Sequence, residues 1–481
     1  MNPQTRVNMQ GLLKTRLIAP YQREGVTWLV NREVVQSYPG GFLCDEMGLG
    51  KTVQLIATML ANPKPRTLIV VPKSIVGQWC SEIERFAPSL SVASFDGAKR
   101  HLPDVLPDVV VAPYSILAQR YGCAPCPLLK YQWDRVILDE AHEIRNRKSK
   151  VHVACRALNS TIRWVVTGTP VFNSMKDFVA LCSFLGFPQA AVQGHTDAIR
   201  EAMVLRRTKD DVSKFNKRLE LPPCDFQNVE LEMHPEEHDL YLDVFVKAQT
   251  IVRNIFANGT QHLHQMELLE CLLRTRQVMT WPQLYLDGIA LKEDSDPEPW
   301  CGRSRKLEAL LDMVASHPTE KALVFAQFKG EMDEIQERLT KLRVPVVRID
   351  GTVPKELRDA RIAAFKVGPP NIVFLIQVKA GGVGLNLQEA TRVYITAPAW
   401  NPATELQAIG RAHRTGQTGR VVVRRLVYTG TDAAPSVEQS IMQLQDGKAR
   451  VCAEVLNDER LATQVPNVAV NAKTLKQIFS V

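Results

Sequence analysis

Residues 42–60, FLCDEMGLGKTVQLIATML, decide the fold. A short apolar strand, FLC (42–44), runs into a glycine-bearing loop, and TVQLIATML (52–60) follows with the spacing of an amphipathic helix. Strand, loop and helix in that order are the context of a phosphate-binding loop. Gly48 and Gly50 let main-chain N–H groups approach phosphate oxygens, and the start of the helix adds its dipole. In that reading Lys51 contacts the β- and γ-phosphates of a nucleotide, and the Thr52 hydroxyl ligates Mg²⁺. The strict spacing wants a glycine at position 45, where this chain has Asp45. For this segment alone, an ordinary glycine turn ahead of a helix is the alternative.

Apolar runs like FLC recur in two groups. The first adds LIVV (68–71), VVVA (109–112), VIL (136–138) and WVV (164–166); the second holds ALVF (322–325), VVRI (346–349), IVFLI (372–376), RVYIT (392–396) and VVVRRLV (421–427). Continuous apolar strands fit parallel sheets buried on both faces, and alternation with helices such as EMDEIQERLTKL (331–342) gives an α/β protein. Residues 232–285 lack such runs and read as helices, and KEDSDPEPWCGRS (292–304) reads as a linker. The organisation expected is an N-terminal nucleotide-binding lobe over 1–225, a helical insertion and linker over 226–303, a second α/β lobe over 304–450 and a helical tail over 451–481.

Strand VIL ends in Asp139-Glu140-Ala141-His142. Acidic residues at the carboxyl end of a strand in an open α/β sheet point into the crevice where ligands bind. Asp139 is placed to hold Mg²⁺, and Glu140 to orient and deprotonate an attacking water. Taken alone, the four residues could equally be a surface acidic cluster. Thr167-Gly168-Thr169-Pro170 follows WVV and offers hydroxyls to the acidic motif, although in isolation it is a turn. In the second group, QVKAGGVGLNL (377–387) allows close backbone approach at Gly381, Gly382 and Gly384. ELQAIGRAHRTGQ (405–417) places Gln407, Gly410, Arg411 and Arg414 within two helical turns. Arg411 and Arg414, three apart, share a helix face. Such a pair can neutralise transition-state charge as arginine fingers, the alternative being an exposed basic helix.

The chain has 481 residues, room for about three compact units. With 45% hydrophobic and 23% charged residues it has ordinary globular composition, which excludes a mainly disordered or collagen-like chain. No stretch approaches the ~18 apolar residues of a membrane span. The N-terminus lacks an apolar core with a cleavage site, so an intracellular protein is expected. Fifty-nine Lys and Arg against 51 Asp and Glu give +8. The excess concentrates in 203–219, with Arg206, Arg207, Lys209, Lys214, Lys217 and Arg218, and in 401–430, with Arg411, Arg414, Arg420, Arg424 and Arg425. Either is a solvated face by itself; together with the motifs they read as a nucleic-acid track. Of ten cysteines, Cys123 and Cys126 form one CxxC without a second pair at zinc-finger spacing, so reduced thiols are expected.

In chain order stand APYQREGVTWL (19–29), DEMGLGKT (45–52), LIVVPKSIVGQW (68–79), DVVVAPYS (108–115), DEAH (139–142), VVTGTPVFNS (165–174), VLRRTKDDV (204–212), LLRTRQVMTWPQL (272–284), SRKLEALLDM (304–313), ALVFAQF (322–328), RIDGTV (348–353), VKAGGVGLNL (378–387) and ELQAIGRAHRTGQ. From about Leu17 to about Asn457 this resembles a Swi/Snf-type DNA-dependent ATPase of helicase superfamily two, closest to the repair- and transcription-linked branch. The resemblance implies two RecA-like lobes with helical protrusions, ATP with Mg²⁺ between them and double-stranded DNA across the top. It implies Gln22 as the reader of adenine, a nucleotide loop of Asp45, Glu46, Met47, Gly48, Leu49, Gly50, Lys51 and Thr52, and nucleotide contacts at Gly382 and Gly384. Lys51, Glu140, Gln407, Arg411 and Arg414 would form the catalytic set, with Thr52 and Asp139 on the metal. The function implied is ATP hydrolysis coupled to translocation on duplex DNA by a monomeric motor. Its targets would be protein–DNA complexes such as those of histones, polymerase or transcription factors, in a nucleus or in the service of a virus. A strand-separating DNA or RNA helicase and a non-hydrolysing DNA-binding scaffold are the alternatives. Two departures stand out: the branch's RING finger is absent, and Ala397-Pro398-Ala399 precedes Trp400-Asn401-Pro402 where the family has an acidic residue.

Overall fold

Each apolar run of the sequence becomes a strand. A computed structural model describes residues 20–34, 37–46, 48–97, 101–118, 126–168, 175–208, 211–212, 222–378, 386–400, 402–414, 417–445 and 472–481. The chain divides between Glu220 and Leu221 into two α/β units. In the first, β1 (Gly40–Leu43), β2 (Thr67–Val71), β3 (Val92–Ser94), β4 (Val109–Pro113), β5 (Gln132–Asp139), β6 (Asn159–Val166) and β7 (Val204–Leu205) form a parallel sheet in the order β3-β4-β2-β5-β6-β1-β7. Every residue of β1, β2 and β4 is buried, which is why these strands read as unbroken apolar runs.

The strand order positions the site. Leu43 of β1 and Asp139 of β5 are both in register with Val166 of β6, which lies between them. The loop after β1 and the acidic turn after β5 therefore leave the same edge of the sheet about 10 Å apart, two strand spacings. Helix α1 (Pro20–Val34) is fixed beside this edge from its far end. Glu33 accepts from Arg135 Nη2 at 2.5 Å, from Trp164 Nε1 at 2.8 Å and from Asn62 Nδ2 at 2.7 Å. The two charges are buried, so removing either alone would leave an uncompensated ion, a change that generally costs about 3–5 kcal/mol. Helices α2 (Lys51–Ala61) and α3 (Val76–Phe86) follow β1 and β2 and pack in one core with Leu29, Ile56, Ile69, Trp79 and Ile137.

The second unit holds β8 (Cys224–Leu231), β9 (Ala322–Ala326), β10 (Val346–Ile349), β11 (Val373–Gln377), β12 (Arg392–Ile395) and β13 (Val421–Tyr428), all parallel, in the order β10-β11-β9-β12-β13-β8. Helices α4 (Pro235–Ala257), α5 (Gln265–Thr280) and α6 (Pro282–Glu293) precede α7 (Arg305–Ala315) and α8 (Lys329–Lys341). Tyr241, Phe245, Val252, Leu272 and Met279 from α4 and α5 share a core with Leu310, Val324 and Leu375. The helices expected as a separate insertion are thus a layer of the second unit.

Two more expectations change. Cys224–Leu231, partly within the segment assigned to helices, is the edge strand paired with β13 from Cys224↔Val421 to Leu231↔Tyr428. Its sequence, CDFQNVEL, carries no apolar run because an edge strand has most of its residues in solvent. The stretch taken for a linker is tied down inside its own unit. The Trp300 N–H donates to Gln283 Oε1 at 2.5 Å, and Arg303 Nε pairs with Glu308 at 2.8 Å. At the chain's end, residues 446–471 lie outside the described ones; Ala472–Ile478 forms a helix beside α4 and α5, with Phe479 5.7 Å from Phe245 between ring centroids. Cys126 is buried and Cys123 lies outside the described residues. No helix among them is long and apolar enough to cross a membrane.

Candidate active site

The loop between β1 and α2 is built on left-handed glycines, with φ of 93° at Gly48 and 75° at Gly50. A Cβ on Gly50 would come within 2.6 Å of Gln22 Nε2, so glycine is also what lets α1 approach the loop. Tyr21 donates its hydroxyl to the Leu49 carbonyl at 3.0 Å, and Gln22 Nε2 reaches the same oxygen at 3.5 Å. Lys51 is the first residue of α2, and its ammonium folds back on the carbonyls of Asp45 at 2.8 Å and Glu46 at 3.5 Å. Thr52 follows, half-buried in the first turn. The first N–H groups of α2, which have no partner within the helix, face the loop; this is the geometry of an anion cradle. Met47 lies outside the described residues.

Asp45 is not part of that cradle's lining. Its side chain is fully buried and held from behind. Arg207 Nε donates to Oδ1 at 3.0 Å and Nη2 to Oδ2 at 2.5 Å, the Arg207 main-chain N–H reaches Oδ1 at 3.1 Å, and Gln54 Nε2 reaches Oδ2 at 3.0 Å. Asp45 faces the loop only through its carbonyl, which holds Lys51. Arg207, assigned from sequence to a nucleic-acid track, instead supports the loop; it also bonds the Tyr21 carbonyl and Gln54 Oε1. Sequence reasoning missed the pairing, although an acid replacing a glycine next to a buried strand needs a cation nearby. Arg207→Met leaves that carboxylate buried without its ion partner, and an expected loss of about 3–5 kcal/mol follows. Denaturant unfolding measures it, and in the cycle with Asp45→Asn the coupling should exceed about 1 kcal/mol.

Asp139 closes the other side. Its Oδ2 accepts from the Trp79 indole N–H at 2.8 Å, its Oδ1 from the Glu140 N–H at 2.9 Å, and its carbonyl from the Tyr114 hydroxyl at 2.8 Å. Burial, and then the neighbouring Glu140 carboxylate, push its pKa up to about 6, while Lys51 is near enough to pull in the opposite direction. A buried acid facing a second acid is a poor site for an isolated charge and a good one for a divalent cation, which reverses that penalty. The Asp139 carboxylate therefore suits a divalent cation. Glu140 sits in the left-handed region at φ 49° and ψ 46°, a strained conformation for a non-glycine residue of the kind concentrated at functional sites. Its half-exposed carboxylate lies 3.3 Å from His142 Nδ1. Thr167 is buried, and its N–H bonds the Leu43 carbonyl at 3.2 Å; Thr169 and Pro170 lie outside the described residues. Loop lysine and acidic turn are thus brought together on one sheet edge.

In the second unit, helix α9 (Pro402–Ala412) carries Gln407, half-buried, and Arg411, only 7% exposed, in its last turn. The helix ends at Ala412, so Arg414 does not share a helical face with Arg411. Arg414 lies in the following turn, where its N–H bonds the Ala412 carbonyl at 3.2 Å and its own carbonyl accepts from Gln417 N–H at 2.9 Å. Gln417 closes this turn, its amide donating to the carbonyls of Gln388, Ala390 and Ala412 at 2.9–3.1 Å. The basic stretch 401–430 is largely matched by acids of its own unit. Arg420 and Arg424 both meet Asp225 Oδ2 at 3.0 Å, and Arg425 meets Glu405 at 2.8 Å. Gly381, Gly382 and Gly384 fall outside the described residues, as do Lys209, Lys214, Lys217 and Arg218.

Comparison with known proteins gives two family matches, an SNF2-related domain over residues 21–195 and a helicase conserved C-terminal domain over 305–416. The chain is 29% identical to the mouse SWI/SNF-related matrix-associated actin-dependent regulator of chromatin subfamily A member 1, over 95% of this chain and 45% of that protein. It therefore spans about half the length of that chromatin regulator. It is also 29% identical to the probable global transactivator of Orgyia pseudotsugata multicapsid polyhedrosis virus, over 96% of this chain and 94% of the viral one. Among solved structures, the Sulfolobus solfataricus SWI2/SNF2 ATPase core in complex with dsDNA aligns with a TM-score of 0.42 at 26% identity, covering 97% of each chain. The two matched domains fall one in each α/β unit, on either side of the division at Glu220, and with them the chain belongs to the Swi/Snf-type, SNF2-related family of helicase-like ATPases.

Proposed function

We propose that the protein is an ATP-dependent motor on double-stranded DNA that couples hydrolysis to translocation and to the remodelling of protein–DNA complexes. The observation that carries the reading is the shared sheet edge, with Lys51 and Thr52 after β1 and Asp139 and Glu140 after β5, both flanking β6. Lys51 leaves its two carbonyls for the phosphates of ATP. Gln22, already against the loop, reads the adenine, and Gly382 and Gly384 complete the nucleotide's surroundings. Glu140 takes the proton of the attacking water as the oxygen joins the γ-phosphorus and ADP leaves. Thr52 and Asp139 would hold Mg²⁺, which would supply charge neutralisation on the phosphates. Gln407, Arg411 and Arg414 are the second unit's share of the proposed catalytic set. Family membership supports the coupling to DNA, and the names of the relatives support chromatin or transcription complexes as targets, in a nucleus or for a virus.

Positive charge for a duplex is also found outside the two segments singled out from sequence. In the first unit, Arg147, Lys148 and Arg156 line an open cleft of about 660 Å³ with His152, Val153 and Ala157. Arg147 there donates to the neutral amide of Gln189 at 2.5 Å. Phosphate contacts release counterions, so duplex affinity is expected to fall with salt at a slope of about 0.9 per contact, and Arg147→Glu with Arg156→Glu should lower that slope by about two contacts. ATPase assays with duplex DNA, single-stranded DNA and RNA test the function itself. Duplex should stimulate turnover most; stimulation by RNA or single strands alone overturns the reading, and so does salt-insensitive duplex binding.

A further inference from the structure

The carboxylate assigned to the metal accepts a hydrogen bond from a tryptophan in the hydrophobic core. Trp79 is 2% exposed, and its ring packs among apolar side chains of α2, α3 and the sheet, including Ile56, Ile83 and Ile137. A buried indole N–H needs an acceptor, and here the acceptor is Asp139 Oδ2 at 2.8 Å. The Glu140 N–H takes Oδ1, and the Tyr114 hydroxyl takes the Asp139 carbonyl. Each carboxylate oxygen thus has one donor that fixes the group's rotation and keeps lone-pair capacity for a further partner. Trp79 lies on α3 after β2, and Tyr114 follows β4; these are the two strands next to β5 on the side away from β6 and β1. Helix α3 begins directly after the short turn Lys73–Ile75, in which Lys73 and Ser74 are exposed at the same sheet edge as the site.

We propose that Trp79 is a positioning residue that sets the orientation of the Asp139 carboxylate for the divalent cation and ties that orientation to helix α3, with Tyr114 as its main-chain counterpart. The proposal rests on the nucleotide site proposed above. Its physical content is that the rigid ring works as a fixed pointer. Without the N–H, the carboxylate turns about its Cβ–Cγ bond and the pre-set geometry is lost, while the phosphate loop, on the far side of β6, is untouched. Any displacement of α3 through the exposed turn at Lys73 and Ser74 reaches the metal ligand through one hydrogen bond, which gives a surface event a direct route to hydrolysis.

Trp79→Phe removes the N–H and keeps most of the ring. Binding of a fluorescent, non-hydrolysable ATP analogue is titrated with Mg²⁺, and separately measured in EDTA, on the full chain. Outer-shell partners of metal ligands are typically worth about 10–100-fold in metal affinity. The Mg²⁺ midpoint should accordingly rise at least about tenfold in Trp79→Phe, while analogue affinity in EDTA stays within about twofold. Tyr114→Phe serves as the second variant, with a smaller shift in the same direction, should Trp79→Phe unfold at lower temperature. An unchanged Mg²⁺ midpoint in both variants overturns the proposal. So does an equal weakening with and without Mg²⁺, which would make Trp79 a packing residue only. Failure of the unmodified protein to bind the analogue in a Mg²⁺-dependent way would instead remove the nucleotide site itself.

Discussion

Glu140→Gln is expected to cut ATP turnover by about 10²–10⁴, the usual worth of a positioned general base, and to leave ATP binding nearly intact. The expectation comes from the side chain's place at the end of β5. Its carboxylate is half-exposed and strained into a left-handed backbone, next to a buried acid that the cation would occupy. Glutamine keeps the size and the hydrogen-bonding reach and removes only the ability to take a proton. Lys51, Thr52 and Asp139 remain, so the nucleotide should still be held. Single-turnover hydrolysis alongside equilibrium binding of ATP separates the two effects. Near-normal turnover would remove Glu140 from the role of base, and lost binding would make it a structural residue of the loop.

Arg411→Ala should have the largest effect of all, a fall in DNA-stimulated turnover of about 10³–10⁵ if its guanidinium meets transition-state charge. Lys51 and Glu140 belong to one unit and Arg411 to the other, so neither unit by itself holds the whole proposed set. Duplex DNA should raise kcat more than it lowers KM for ATP. Arg411 is buried at the end of α9, with its carbonyl accepting from Leu387 N–H at 3.0 Å, so unfolding must be measured on the same variant. ATP and duplex binding should both survive. The competing role is contact with a DNA phosphate. Turnover restored to the unmodified level at saturating duplex would assign Arg411 to the DNA and remove it from the catalytic set.

The strands of both sheets, the phosphate loop and the acidic turn could be read in the chain alone, because each is a local pattern. A strand buried on both faces has to be a run such as LIVV, and a loop that cradles phosphate needs glycine where φ is positive, as at Gly48 and Gly50. Burial and backbone sterics act on neighbouring residues, and so leave a signature in neighbouring letters. What escaped was whatever depends on partners distant in sequence. Strand β8 looks polar because it lies at an edge and borrows its identity from β13, 197 positions away at Asn228 and Arg425. The helices of 235–293 read as an insertion because nothing local shows that they share a core with β9 and β11. Arg207 reads as one more basic residue until the fold brings it to Asp45 across 162 positions, and Trp79 as one more core aromatic until it meets Asp139 across 60. Arg414 was placed on a helix by its spacing, but the chain turns at Ala412 because Gln417 folds back on three carbonyls. Local chemistry determined the glycine loop and the acidic turn; the tertiary structure decided which residues hold them in place, since a buried charge or N–H takes whatever partner the packing supplies.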